Sequence, residues 1–109
     1  MKEIKAFIHR NRVADVIHAL KDSDFLTGRC NLSINDVAGT LQALDNRERN
    51  YSIELGEGVI TEVKLELICE DEHVDRAIAL IRDNARTGQA LSGWIYTVDI
   101  GNIVAIESA

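Results

Sequence analysis

Between Val59 and Cys69 the chain alternates strictly: Val63, Leu65, Leu67 and Cys69 fall on one side, Glu62, Lys64 and Glu66 on the other. That period of two is the signature of a β-strand with one buried face. Such a strand cannot stand alone. Its backbone N–H and C=O groups need neighbouring strands, and its apolar face needs a covering layer. Charges of opposite sign on its polar side can pair with neighbours across the sheet.

The rest of the chain supplies both. Residues 2–9 alternate through Ile4, Ala6 and Ile8, which predicts another strand. Val13, Val16, Ile17 and Leu20 recur at helical spacing, predicting a helix over 12–22 with Asn11 as its expected cap. Phe25 to Val37 reads as extended, with a bend at Thr27-Gly28 and then Cys30, Leu32 and Ile34 in alternation. After the 59–69 strand, Glu70-Asp71-Glu72 places negative charge where a helix N-terminus favours it. Val74, Ala77, Ile78, Ile81 and Ala85 form the buried face of that helix, and Gly88 is its expected terminator. Gly93 to Val98 is aromatic and β-branched, a fourth strand, and residues 102–106 are a candidate short fifth. The order is β-α-β-β-α-β, the split βαβ pattern of an α+β, ferredoxin-like sandwich: two helices on one face of a four-stranded antiparallel sheet. The other face is either solvated or meets other subunits.

Residues 38–57 interrupt the pattern. They carry Gly39 at one end and Gly56 at the other, with Gly58 just beyond, and a charged centre, Asp45-Asn46-Arg47-Glu48-Arg49-Asn50. A structureless loop near twenty residues in a compact domain is usually functional or disordered. The competing expectation is a short helix over 41–49, where good helix formers gather.

Composition narrows the function. The 109 residues include no proline and no low-complexity tract, so a single domain over 1–109 is expected. A formal net charge of −6 argues against a nucleic-acid surface. No apolar run reaches the roughly 18 residues of a membrane span, and the charged N-terminus lacks a signal-peptide core, so a cytoplasmic location is the default. Cys30 and Cys69 are isolated, and reduced, buried thiols are expected. His9, His18 and His73 lack close ligand spacing, and no metal site is assigned. No nucleophile motif, Walker loop or dinucleotide fingerprint is present, so an enzyme is not expected.

Specific residues go further. Lys2-Glu3-Ile4-Lys5-Ala6-Phe7-Ile8 with Val13, Asp15, Val16, Ala19 and Leu20, then Asp36-Val37-Ala38-Gly39, Glu62-Val63-Lys64-Leu65-Glu66-Leu67, Val74-Asp75, Ala85-Arg86-Thr87-Gly88, and Gly93 with Ile95-Tyr96-Thr97-Val98, run in order along the chain. The ordered set resembles the PII family of nitrogen regulatory signalling proteins. The resemblance implies a homotrimer with ligand clefts between subunits that hold adenine nucleotides. It also implies a loop, here 38–57 (the T-loop), that reports the ligand to a membrane transporter or another protein target. It places ligand contacts at Phe7, Ser33, Gly39, Ile68, Thr87, Gly88, Ser92, Gly93 and Trp94, and partner contacts at Gln42, Arg47, Arg49 and Tyr51.

The departures matter as much. Where the family's second ligand loop (the B-loop) reads Gly-Asp-Gly-Lys, this chain has Leu91-Ser92-Gly93-Trp94. The family's C-terminal Arg-x-Arg falls on Ala105 and Glu107, the lysine at the loop base on Glu62, the loop arginine on Gln42 and the modified tyrosine on Leu55. Uridylylation is therefore not expected. Each lost charge-assisted contact to phosphate is worth about 1.5–3 kcal/mol, so ordinary ATP sensing is not expected either. The expected ligand is a less charged one such as AMP or ADP, or a small anion. A metal-tolerance or metal-efflux protein of related architecture, binding Cu or Zn through His and Cys, is the alternative. Several residues keep plainer readings open: Ser33 as a polar strand residue, Gly88 as a turn, Trp94 as an interface residue, and Arg47 and Arg49 as solvated loop charges.

Overall fold

The computed structural model describes residues 1–26, 30–52 and 57–108. Its centre is an antiparallel pair, β1 (Lys2–His9) and β4 (Glu57–Cys69), with Ile4 opposite Leu67, Ala6 opposite Leu65 and Ile8 opposite Val63. β2 (Asn31–Gly39) lies on the far side of β4, and β5 (Trp94–Asp99) on the far side of β1, giving the order β2-β4-β1-β5. β1 and β2 are both antiparallel to β4, hence parallel to each other, and α1 (Val13–Lys21) joins them. In the same way α2 (Val74–Asn84) joins the parallel pair β4 and β5 across β1. These are two interleaved split βαβ units, the ferredoxin-like arrangement expected from the pattern.

One sheet face is sealed by the helices. Ile4, Ala6, Ile8, Val63, Leu65, Leu67 and Cys69 meet Val16, Leu20, Val74, Ala77 and Ile81 there, all buried. Cys30 is only half-buried, at the rim. Arg12 Nε donates to Asn84 O at 3.0 Å, tying the start of α1 to a terminal carbonyl of α2 that has no partner within the helix.

Several sequence expectations need correction. Asn11 does not cap the helix: it lies inside a 3₁₀ turn over Arg10–Arg12, and Arg12 stands at the cap position without a side-chain capping bond. Likewise the acidic run Glu70–Glu72 leads into a 3₁₀ turn, Asp71–His73, and α2 begins at Val74. That helix closes at Ala85, whose N–H reaches Ile81 O at 2.9 Å, so Gly88 does not end it. Gly88, at φ +91°, makes a turn in the loop beyond. Residues 102–106 form no strand. The Thr27-Gly28 bend lies outside the described residues. On the polar side of β4 Lys64 pairs with Glu66 at 3.0 Å along its own strand and Lys5 with Glu3 at 3.4 Å along β1, while Lys5 and Glu66, register partners, also attract each other across the two strands.

The long segment differs most. β2 continues to Gly39, and an additional strand, β3 (Arg49–Ser52), pairs with Glu57–Ile60 of β4. Ile60 faces Gly39 on one edge, so Arg49 must meet it on the other, the edge that β1 occupies further along. Only 40–48 is irregular on the way in. It does not become a helix because the Asp45 side chain takes the backbone instead: Oδ1 accepts the N–H of Arg47 at 2.9 Å and of Glu48 at 3.2 Å. Such Asx turns compete with helical bonding.

Candidate functional site

The sheet face away from the helices carries the next alternate set of side chains. Phe7 and Trp94 are register partners there, as are Lys5 and Tyr96. Phe7 stacks on Tyr96 with ring centroids 6.3 Å apart. Trp94 is 60% exposed, and Tyr96 and Val98 are exposed beside it. This face is therefore aromatic at its β5 edge and charged in the middle.

Two glycines let chain segments converge at one end of that face. A Cβ on Gly93 would stand 2.2 Å from Phe7 O, so only glycine lets β5 start this close to β1. A Cβ on Gly39 would stand 1.9 Å from Glu62 Oε2, because the Glu62 carboxylate occupies the space a side chain would take. Around this junction a hollow of about 310 Å³ is walled by Phe7, Val37, Gly39, Leu41, Glu62 and Trp94. Phe7, Gly39 and Trp94 were expected at a ligand site, and the fold brings these three together.

A second hollow, of about 230 Å³, lies against the loop after α2, lined by Arg82, Arg86, Gln89, Ser92, Gly93 and Trp94. Thr87 is fixed there: its N–H donates to Ser92 Oγ at 3.0 Å, and its hydroxyl lies 3.0 Å from the same oxygen. Gly88 sits within this loop. Ser33 and Ile68 stand apart from both hollows, further along the same sheet face. Ser33 is opposite Glu66 and accepts from Asn31 Nδ2 at 3.3 Å, while Ile68 is opposite Glu3 and Asn31.

The base of the long segment is bonded to these walls. Leu41 N–H donates to Glu62 Oε2 at 2.8 Å, and Gln89 Nε2 donates to Gln42 O at 3.0 Å. Further along, Leu44 N–H donates to Glu48 Oε1 at 2.8 Å, and Glu48 Oε2 accepts from His9 Nδ1 at 2.9 Å. His9 is the register partner of Glu62 and is wholly buried, and its Nε2 has no hydrogen-bond partner among the described residues. Of the expected partner-binding residues, Gln42 and Arg47 are exposed on this segment, while Arg49 and Tyr51 belong to β3.

Sequence reading missed Glu48, Arg82 and Arg86, weighed His9 only as a metal ligand, and saw Glu62 as a polar-face strand residue standing where the family has a lysine. Arg82 and Arg86 share an i, i+4 face that the pattern does show. Glu62 and Glu66 look alike in sequence, and nothing local says that one of them is covered. Burial pushes the Cys69 thiol up to about 11 and the Cys30 thiol upward as well. The bond from Lys64 holds the Glu66 carboxyl below its ordinary value. Among the described residues no three His, Cys, Asp or Glu side chains gather into a metal-ligand group. No described helix is long and apolar enough to cross a membrane.

Comparison with known proteins agrees with the topology. The family model described as nitrogen regulatory protein P-II matches residues 1–109. Nitrogen regulatory protein P-II 1 of Methanothermobacter thermautotrophicus is 31% identical over 108 residues, covering 99% of this chain and 90% of that protein. Nitrogen regulatory protein P-II of Pasteurella multocida is 28% identical over 108 residues, with 99% and 93% covered. Nitrogen regulatory protein P-II 1 of Escherichia coli K12 is 26% identical over 108 residues, again with 99% and 93% covered. With the interleaved βαβ units, the long segment between β2 and β4 and a match over its whole length, the chain belongs to the nitrogen regulatory protein P-II family.

Proposed function

We propose that this chain is a single-domain, cytoplasmic PII-type regulator and not an enzyme. In this reading it assembles as a trimer, binds a small ligand in clefts between copies, and acts on a membrane transporter or another protein through residues 40–52. The observation that carries the reading is the junction at Gly39. The hollow walled by Phe7, Gly39 and Trp94 opens where the long segment leaves the sheet; the first residues of that segment are bonded to Glu62 of this hollow through Leu41 and to Gln89 of the neighbouring hollow through Gln42. Whatever fills such a hollow touches the base of the loop.

A trimer supports the rest. The exposed Trp94, Tyr96 and Val98 lie beside the open edge of β5, and aromatic and β-branched groups of this kind are what a subunit contact would cover. Ser33 and Ile68, distant from the hollow within one chain, would then contribute from a neighbouring copy. The ligand is an adenine nucleotide of low charge, AMP or ADP, or a small anion. Calorimetry with AMP, ADP, ATP, cyclic AMP and bicarbonate tests it: binding of AMP or ADP with weak ATP is expected. If none binds, and a target captured by the wild type is equally captured after Arg47→Ala and Gln42→Ala, the sensing role is lost. Sedimentation showing a stable monomer removes the intersubunit cleft.

A further inference from the structure

We infer that Glu62 takes the hydrogen-bond-donating part of the ligand, an amino group or a pair of hydroxyls, and carries its presence to the base of the loop. The inference rests on the proposed ligand-binding role and specifies its chemistry. Glu62 is only 5% exposed and lines the hollow. Among the described residues no Lys or Arg forms an ion pair with it; its one partner is the N–H of Leu41. His9, directly across the strand pair, gives Nδ1 to Glu48, and its Nε2 has no hydrogen-bond partner among the described residues, so the imidazole does not serve Glu62.

A carboxylate withdrawn from water without a paired cation is costly and needs further donors. Ionised, it offers two oxygens and about four acceptor sites, and Leu41 uses one oxygen. The rest of the group faces a hollow whose aromatic walls, Phe7 and Trp94, suit a flat ring. This surface accepts a ring bearing N–H or O–H donors and repels a bare anion. Any phosphate on the ligand is therefore directed away from Glu62. Because one carboxylate bonds both ligand and Leu41, occupancy orders the point where the loop begins. The hollow and the loop are then linked through a single side chain.

The test uses the full-length chain with adenosine, AMP and bicarbonate in calorimetry, and amide exchange at Leu41. An amide side chain has one acceptor oxygen and no charge, so Glu62→Gln is expected to weaken adenosine and AMP by the same factor, at least about tenfold. Glu62→Lys is expected to abolish adenosine binding and allow bicarbonate. In the wild type, adenosine is expected to slow exchange at Leu41, and in Glu62→Gln to leave it unchanged. Thermal melts establish that both variants fold. Unchanged adenosine affinity in folded Glu62→Gln overturns the assignment, as does a loss confined to AMP, which would put Glu62 at the phosphate. If Leu41 exchange ignores adenosine in the wild type, the link to the loop is refuted. Failure of every ligand to bind the wild type instead removes the ligand reading itself, and this inference with it.

Discussion

The two faces of the sheet are built from the same strands and obey different rules. On the helix face the central strands β1 and β4 meet apolar neighbours, and burial there follows the period, while toward the sheet edges Ile34, Asp36, Thr97 and Asp99 share that phase and are exposed. The opposite face holds charges, aromatic rings, a wholly buried histidine and a nearly buried glutamate side by side. What decides burial there is which loop or subunit lies over a position. The first face is a property of each strand; the second is a property of what the chain, or another chain, places on it.

That contrast can be tested by substitution, and the helix face should give the largest effect. Leu65→Ala removes a 1%-exposed side chain from the core and should cost about 2–5 kcal/mol in denaturant unfolding. A cost under about 1 kcal/mol would mean that the helices do not seal this face. Next comes the covered spot on the other face. Glu48→Ala strips His9 of its partner on Nδ1 and Leu44 of its acceptor, an expected loss of about 1–3 kcal/mol. Limited proteolysis should at the same time speed up within 40–48. If cleavage is unchanged, Glu48 does not hold the segment down.

Smaller effects complete the series. The Cys69 thiol is held neutral in the folded chain up to about 11, mainly by burial, against an ordinary value of 9.0. A raised folded value means that stability is full below the ordinary thiol range and is lost as pH climbs toward 11. Unfolding at pH 8, 9.5 and 11 should show that decline, and Cys69→Ala should flatten it. A slope that survives in Cys69→Ala belongs to another group. Smallest of all, Arg10→Ala breaks an ion pair with Asp36 whose side chains are 60% and 55% exposed, and should change stability by less than about 1 kcal/mol.

The contrast also explains what the sequence made legible. β1, β4 and both helices follow from Ile4-Ala6-Ile8, Val63-Leu65-Leu67, Val16-Leu20 and Ala77-Ile81, because each records burial against its own layer; β5 follows from the strand propensity of the aromatic and β-branched run at Trp94, whose rings are exposed. The β3 hairpin escaped because its strand is short and lies in a charged stretch, where pairing with the extended start of β4 outweighs local propensity. The candidate site was half legible. Phe7, Gly39 and Trp94 were visible through resemblance. The burial of Glu62 and His9 was not, since it depends on where residues 41–48 return after the Asp45 turn. Ser33 and Ile68 remain separated within one chain.

The carboxylate of Glu62 lying where a Gly39 side chain would go has a consequence for how this protein can change over generations. The two positions are not free to drift separately. An alanine at 39 makes the Glu62 carboxylate swing aside and give up its bond to the N–H of Leu41, and a shorter residue at 62 leaves a space that a side chain at 39 can fill. A change of ligand chemistry at one of the two sites is therefore felt at the other.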